Sequence, residues 1–253
     1  MTNLVETKLD VRIYEDRESM GAAAAEKFAK EVTVLLKTKD EINVVFAAAP
    51  SQNEFLSALD YENLDWNHIN AFHMDEYIGL AADAPQGFGN FLRHRLFDKF
   101  NFKSVNYLNG NADDISAECE RYTTLLTQNK VDIVCMGIGE NGHLAFNDPP
   151  VADFEDKDTV KVVKLDEVCR QQQVNDGCFA TLDEVPRRAL TLTIPALLSA
   201  IYINCVVPGP TKAIAVANTL NSQISTENPA TILRKHVKTV LFLDGDSSKL
   251  LNS

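Results

Sequence analysis

The residues best suited to chemistry lie in one stretch, 131–150, which reads VDIVCMGIGENGHLAFNDPP. His143 has one carboxylate three residues before it, Glu140, and another five residues after it, Asp148. Because an imidazole exchanges protons near neutral pH and carboxylates can orient it, this grouping suits general acid–base catalysis. A lone loop histidine is more often a solvated or capping residue, so the grouping needs support from the elements around it.

A buried strand and a glycine-rich turn precede the histidine. The apolar run 133–136 predicts the strand, and Gly137, Gly139 and Gly142 follow it. In a parallel sheet such a turn lies at the carboxyl end of the strand, where ligands bind. The turn lacks the third glycine of the dinucleotide fingerprint, and its Gly-x-Gly alone is weak evidence for a nucleotide site.

Strands and helices alternate along the whole chain. The predicted strands lie at 11–14, 42–47, 69–73, near 105, 133–136, 159–165, 189–193, 202–207 and 239–243. The predicted helices lie at 17–37, 51–59, 88–97, 113–128, 166–173 and 211–220, with a short helix at the C-terminus and an irregular stretch up to residue 87. This alternation predicts a doubly wound α/β fold, Rossmann-like, with a mostly parallel sheet and helices on both faces. No linker or repeat interrupts it, so we expect a single domain over 1–253.

Composition restricts the class of protein. The 253 residues carry a net charge of −12, which argues against a nucleic-acid or anionic-membrane partner. No apolar run is long enough for a signal-peptide core or a membrane span, and the five cysteines are scattered. These features predict a cytoplasmic protein with reduced thiols. No metal-ligand spacing occurs, so we expect no metal.

Three further loops follow predicted strands and should reach the same edge of the sheet. The first carries two adjacent acids, Asp75 and Glu76. The second places Lys212 on the first turn of a helix, whose free N–H groups suit a phosphate. The third places Ser51 after three alanines, where its hydroxyl could cap a helix or bind a phosphate. Taken singly, each loop has an ordinary interpretation as a solvated turn or a capped helix.

These motifs together resemble one family. The string GIGENGHLAFNDPP at 137–150, the string MDEYIGL at 74–80 and the Gly-x-x-Lys at 209–212 are similar to the glucosamine-6-phosphate deaminase/isomerase family, which is related in fold to the 6-phosphogluconolactonases. The resemblance runs over most of the chain. The lactonases usually have Asp-Glu-Arg in the first motif and Gly-His-Thr in the second, so Tyr77 and the run at 146–149 favour the amino-sugar enzymes.

The resemblance implies an enzyme that isomerises and deaminates an amino-sugar phosphate, converting glucosamine 6-phosphate to fructose 6-phosphate and ammonia without a cofactor. It assigns to Asp75 the proton transfer between C2 and C1. It assigns to His143 the opening of the pyranose ring, with Asn141 and Asp148 flanking the histidine. The predicted substrate-binding set is Lys212, which would contact the phosphate, with Ser51, Glu76 and Gly142.

The chain also departs from the family pattern. Many members have Asp where this chain has Asn141 and Glu where it has Asp148, so ring opening and the preferred sugar should differ. Allosteric members carry basic residues after the central loop, whereas 151–158 is acidic here and Lys161 is the clearest match. A basic Arg-Phe-Phe element is replaced at 177–179, so a phosphate contact should be missing. Three arginines, Arg170, Arg187 and Arg188, match no family motif and are the candidates to replace that phosphate contact.

Two other functions remain open from the sequence. A lactonase of the same fold would use His143 to activate water on a phosphorylated sugar lactone. A sugar-phosphate-sensing domain would keep the phosphate site without the chemistry, but the presence of both Asp75 and His143 favours catalysis. In each case the partner is a small sugar phosphate, and the sequence leaves open whether the chain forms a homo-oligomer.

Overall fold

The structure is a computed structural model that describes residues 9–251. The strands in chain order are β1 (Asp10–Ile13), β2 (Ile42–Phe46), β3 (Ile69–His73), β4 (Asp75–Tyr77), β5 (Ser104–Asn106), β6 (Ile133–Met136), β7 (Val160–Lys164), β8 (Arg188–Leu192), β9 (Tyr202–Val207) and β10 (Thr239–Leu243). The α-helices are α1 (Arg17–Leu35), α2 (Asn53–Ala58), α3 (Phe88–Leu92), α4 (Ile115–Gln128), α5 (Glu167–Asn175), α6 (Ile194–Leu198) and α7 (Ala213–Asn221). No described helix is long and apolar enough to cross a membrane.

Seven strands form one parallel sheet, in the order β1-β10-β9-β6-β2-β3-β5. The predicted mostly parallel α/β sheet is therefore confirmed. From β2 the chain winds outward through β3 to β5, and it then returns to place β6 on the other side of β2. The loops that follow the neighbouring strands β2 and β6 consequently lead away from each other. This is the switch point at which open α/β sheets bind ligands.

The central strands are covered on both faces. All five residues of β2 and all four of β6 are buried, which explains why each reads as a continuous apolar run. In β6, Ile133 and Cys135 pack into the core that holds Phe28 of α1, whereas Val134 and Met136 pack into the core that holds Tyr122 of α4. Because neighbouring side chains of a strand point to opposite faces, the sheet separates two hydrophobic cores.

A second, antiparallel sheet of three strands has the order β4-β8-β7. The segment 75–77, predicted to be irregular, is the strand β4, and the segment predicted as a strand at 189–193 pairs with it rather than joining the parallel sheet. Asp75 lies opposite Thr191 in this pairing. A strand of three residues is too short to show alternation in a sequence. The small sheet therefore fixes the backbone of Asp75.

Chain ends and turns account for the other differences from the predicted elements. The helix expected after β10 is a series of turns, in which the Asp244 carboxylate accepts a hydrogen bond from Ser247 N at 2.7 Å. The segment 194–198, not predicted, forms α6, whose cap is Thr193. The helix expected from Thr211 begins as a 3₁₀ turn, Pro210–Lys212, and continues as α7.

Candidate active site

A cleft opens at the switch point of the parallel sheet. It is lined by the turn after β2, the start of β4, the loop after β6, the helix α5 and the turn before α7. Four of the predicted site residues line it: Asp75, His143, Ser51 and Lys212. The expected convergence of distant loops therefore occurs, although these residues are up to 161 positions apart in sequence.

His143 is held by two neighbours from its own loop. Its ring nitrogen Nδ1 lies 2.8 Å from Oδ1 of Asn141 and 2.9 Å from Oδ1 of Asp148. The same Asn141 oxygen accepts the backbone N–H of His143 at 3.1 Å, which fixes the orientation of the amide. Because both neighbours present oxygen acceptors, Nδ1 carries the proton and Nε2 is left as the basic nitrogen.

The Asp148 carboxylate is buried behind this ring. Asn141 Nδ2 donates to its Oδ1 at 3.0 Å. Burial opposes ionisation of Asp148, but the hydrogen bond and the charge of His143, together with Asn141, outweigh burial and hold the pKa of Asp148 below its ordinary value. The carboxylate is therefore a buried anion that faces the histidine.

The loop that carries His143 depends on a glycine beneath the ring. A Cβ at Gly139 would lie 2.2 Å from Cε1 of His143, far inside van der Waals contact. Gly139 N also donates to the carbonyl of His143 at 3.0 Å. Gly142, predicted to bind substrate, does not line the cleft; its φ is 84°, and its carbonyl accepts from Ala230 N at 2.8 Å. Its observed place is in the turn, where a left-handed backbone favours glycine.

Asp75 presents a buried carboxylate to the cleft from the start of β4. Burial, and then repulsion from Glu76, raises the pKa of Asp75 well above the ordinary carboxyl value. A carboxylate with a raised pKa is a stronger base than a solvated one, which suits the removal of a proton from carbon.

Glu76 faces away from this cleft. Its carboxylate accepts three backbone N–H groups, those of Tyr77, Phe88 and Gly89, at 2.8 to 3.1 Å. The bonds to Phe88 and Gly89 tie β4 to the start of α3. Burial raises the pKa of Glu76, and the three N–H groups oppose that rise. Its contacts are structural, whereas the sequence grouped it with the substrate-binding residues.

Lys212 reaches the cleft from the turn before α7, and only 4% of its surface is exposed. Among residues 9–251 its ammonium group makes no hydrogen bond or ion pair. Burial lowers the pKa of Lys212, opposed by the charges of Asp176 and Glu140. A buried cation without a partner is costly, and an anionic ligand in the cleft would remove that cost.

The expected N–H groups beside Lys212 are mostly occupied. Gly209 N donates to both oxygens of Asp244, at 2.9 and 3.1 Å. The 3₁₀ turn uses Lys212 N, which bonds to Gly209 O, and Ala213 N, which bonds to Pro210 O. Pro210 has no N–H. Three of the N–H groups at the start of the helix, those of Gly209, Lys212 and Ala213, are therefore taken up by a buried carboxylate and by the 3₁₀ turn.

Ser51 lines the cleft from the 3₁₀ turn Pro50–Gln52. It does not cap a helix, because the cap position of α2 is Gln52, which makes no side-chain cap bond. Gln52 Nε2 donates to Ser51 Oγ at 3.3 Å and to Val206 O at 3.2 Å. The hydroxyl of Ser51 therefore keeps its own proton available for a ligand.

Comparison with known proteins gives the family. The model described as glucosamine-6-phosphate isomerases/6-phosphogluconolactonase matches residues 15–242. The chain belongs to this family. A glucosamine-6-phosphate deaminase of Clostridium acetobutylicum is 32% identical over 241 residues, which are 93% of this chain and 97% of that protein.

Solved structures of the family share the fold. A monomeric glucosamine-6-phosphate deaminase superposes with a TM-score of 0.85 at 31% identity, covering 96% of this chain and all of that one. A 6-phosphogluconolactonase of Thermotoga maritima superposes with a TM-score of 0.74 at 23% identity, covering 94% of this chain and all of that one. The lactonase likeness supports the fold alone.

Three residues at or beside the cleft were not singled out from the sequence: His73, Gln172 and Gln173. His73 precedes Asp75; its Nε2 accepts Leu108 N at 2.9 Å, so its Nδ1–H donates to Asp75 O, also at 2.9 Å. Burial lowers the pKa of His73 to about 4, so the ring is neutral. On α5, Gln172 and Gln173 line the cleft, and Gln172 Oε1 accepts Glu140 N at 2.8 Å. Neutral amides give no charge pattern that a sequence reading could use.

The three arginines that are candidate substitutes for the missing phosphate contact are engaged elsewhere or exposed. Arg170 donates to the carbonyls of Val185 and Leu182. The other two, Arg187 and Arg188, are exposed and do not line the cleft. Lys161, the match to the basic residues of allosteric members, donates to Asp156 Oδ2 at 2.7 Å. Of the residues lining the cleft, Lys212 is the one cation.

Proposed function

We propose that this chain isomerises and deaminates glucosamine 6-phosphate, giving fructose 6-phosphate and ammonia. The observation that carries the proposal is that one cleft holds the buried carboxylate of Asp75, the oriented ring of His143 and the unpaired ammonium of Lys212. These are a base for a carbon-bound proton, an acid–base group for a sugar oxygen and a cation for a phosphate. The relatives named glucosamine-6-phosphate deaminase support this reaction over lactone hydrolysis.

In the first step His143 opens the sugar ring. Nε2 is the basic nitrogen of the ring, because Asn141 and Asp148 hold the proton on Nδ1. Nε2 takes the proton of the C1 hydroxyl and delivers it to O5, and the C1–O5 bond breaks to give the open-chain aldehyde. The buried Asp148 carboxylate stabilises the imidazolium that exists between the two transfers.

In the second step Asp75 moves a proton along the carbon chain. Its carboxylate takes the proton from C2 while O1 takes a proton from water, which gives an enolamine. The carboxylic acid then returns the proton at C1, which gives an iminium at C2, and loss of its N–H proton to the hydroxide left at O1 gives the imine. Water hydrolyses the imine, and ammonia and fructose 6-phosphate leave. The electrons stay in the substrate throughout, so the residues of the cleft carry the proton transfers.

Lys212 and Ser51 bind the substrate phosphate in this proposal. The ammonium group supplies the charge, and the Ser51 hydroxyl donates from the turn after β2.

We also propose one catalytic domain over 1–253, because the sheet joins β1 near one end of the chain to β10 near the other. The five described cysteines are unpaired, which supports a cytoplasmic location.

The test is a substrate panel. Ammonia release is measured with the 6-phosphates of glucosamine, galactosamine and mannosamine, and acid release is measured with 6-phosphogluconolactone. We expect ammonia from at least one hexosamine phosphate, glucosamine 6-phosphate first, and no hydrolysis of the lactone above its spontaneous rate. Lactone hydrolysis without ammonia release would replace the proposal by the lactonase alternative.

A further inference from the structure

The helix α5 brings a thiol to the pair formed by His143 and Asp148. The ligand atoms of His143, Asp148 and Cys169 all lie within 4.8 Å of one another, and all three residues are buried. Two of them come from the loop after β6 and the third from α5, so the cluster links the two elements that cover the cleft. Spacing in the sequence could not indicate it, because position 169 lies 21 residues beyond position 148.

One polar atom of this cluster is poorly satisfied. Oδ2 of Asp148 is buried without a hydrogen bond to a nitrogen or oxygen donor of the described residues, and the thiol of Cys169, a weak donor, bonds to this carboxylate. The other oxygen, Oδ1, already accepts from His143 and Asn141. A buried carboxylate oxygen without a strong donor costs free energy, and a cation in contact with it would lower that cost.

We propose that His143, Asp148 and Cys169 form a binding site for a thiophilic divalent cation of the zinc class, which inhibits the enzyme reversibly. The regulation part of this inference rests on the proposed function, whereas the binding part does not. A thiolate, an imidazole and a carboxylate are the donor set that zinc accepts, and magnesium and calcium prefer oxygen ligands alone.

The donor atoms are already close to the spacing that a metal needs. In a tetrahedral zinc site with ordinary bond lengths the donor atoms are about 3.3–3.8 Å apart, and the three donor atoms here lie within 4.8 Å of one another. A separate crevice of about 320 Å³ is also lined by Asp148, together with Pro150 and Arg170. The fourth coordination position remains for water or a substrate oxygen.

Metal binding would change where the protons of this cluster lie. The ion replaces the thiol proton of Cys169, which goes to solvent, and its bond to Nδ1 of His143 moves the ring proton to Nε2. The ring that opens the sugar is then occupied, and α5 is tied to the loop of His143.

The test uses cobalt as a spectroscopic probe on the full chain. Cobalt bound to a thiolate gives a near-ultraviolet charge-transfer band that aquo-cobalt lacks. We expect the band to saturate at one cobalt per chain, to vanish in Cys169→Ala and Cys169→Ser, and to remain in the matched control Cys178→Ala, whose thiol is only half-buried. Zinc added in excess should remove the band. The serine variant preserves side-chain size, so a loss seen in both folded variants reports the sulfur.

Activity gives the second readout. Zinc should inhibit ammonia release, and Cys169→Ser should raise the zinc inhibition constant at least about tenfold, because loss of a ligand costs no less than loss of its supporting partner. A missing band in the wild-type protein, or a band unchanged in both Cys169 variants, would overturn the site. A cobalt band in a chain that releases no ammonia would leave the site standing and reject the proposed reaction instead.

Discussion

Nδ1 of His143 lies 2.9 Å from Oδ1 of Asp148, and the Asp148 carboxylate is buried. Asn141 completes the arrangement by accepting from the ring and donating to the carboxylate. The proton on the ring is thereby fixed at Nδ1, and the charge that balances an imidazolium lies within the protein. An amide is neutral, so of the two side chains that contact Nδ1, Asp148 supplies that charge.

Removal of the Asp148 charge should therefore damage the chemical step. In Asp148→Asn, the new amide can present its NH₂ group to Nδ1, which would favour the wrong tautomer and leave the imidazolium unbalanced. We expect kcat for ammonia release to fall about 10²–10⁴-fold, with a smaller change in KM. The exposed Asp113→Asn is the control for a lost surface charge. A kcat within a few fold of wild type would show that the buried charge does not support His143.

Substitution of Gly139, which lies beneath the imidazole of His143, should lower kcat as strongly as substitution of a catalytic residue. In Gly139→Ala the new methyl group would lie 2.2 Å from the ring of His143, so the ring must move by about an ångström or more. A displacement of that size typically costs about a hundredfold in rate. We expect kcat to fall by that amount while the far-ultraviolet circular dichroism is unchanged. Gly245→Ala, where the nearest contact is 3.3 Å, should be near normal.

Lys212 should distinguish phosphorylated from unphosphorylated sugars. Because the amides around it are occupied, it carries a large share of phosphate binding, and a charge-assisted contact is worth about 1.5–3 kcal/mol. Lys212→Ala should raise KM for glucosamine 6-phosphate about ten- to a hundredfold. Turnover of glucosamine, already poor, should change little, and Lys130→Ala, an exposed lysine, should match wild type. An equal loss with both sugars would remove Lys212 from phosphate recognition.

The raised pKa of Asp75 predicts how stability depends on pH. The folded protein binds a proton at Asp75 over a range in which the unfolded chain has released it, so the free energy of unfolding falls as pH rises through that range. Asp75→Asn removes this penalty. The variant should melt at a higher temperature than wild type at pH 8, and the difference should shrink toward zero at about pH 4, the ordinary carboxyl pKa. A variant that is less stable than wild type at pH 8 would contradict the burial of this charge.

The sequence predicted the parallel sheet because its strands are buried on both faces and therefore read as unbroken apolar runs, as at 42–47 and 133–136. It could not predict the small antiparallel sheet, because β4 has three residues and no visible alternation. The convergence of Asp75, His143 and Lys212 followed from the rule that strand ends share an edge, together with the family resemblance.

Other parts of the site depend on contacts between distant segments, which no local pattern records. The hydrogen bond from Glu140 N, in the loop of His143, to Gln172 Oε1 requires the placement of α5, and so does the approach of Cys169 to Asp148. The occupied amides at Gly209 depend on Asp244, 35 positions further on. A free helix start was the natural expectation from the sequence, and long-range hydrogen bonding changed it.

The central claim is that the Asp75 carboxylate carries the proton between C2 and C1 of an amino-sugar phosphate. The most direct measurement follows ammonia and fructose 6-phosphate together, from glucosamine 6-phosphate, with wild type and Asp75→Asn, and measures substrate binding to both proteins by calorimetry. The account predicts equimolar products from wild type, turnover reduced at least about 10²-fold in the variant, and similar dissociation constants. Near-normal turnover by Asp75→Asn, or the absence of ammonia with wild type, would contradict it.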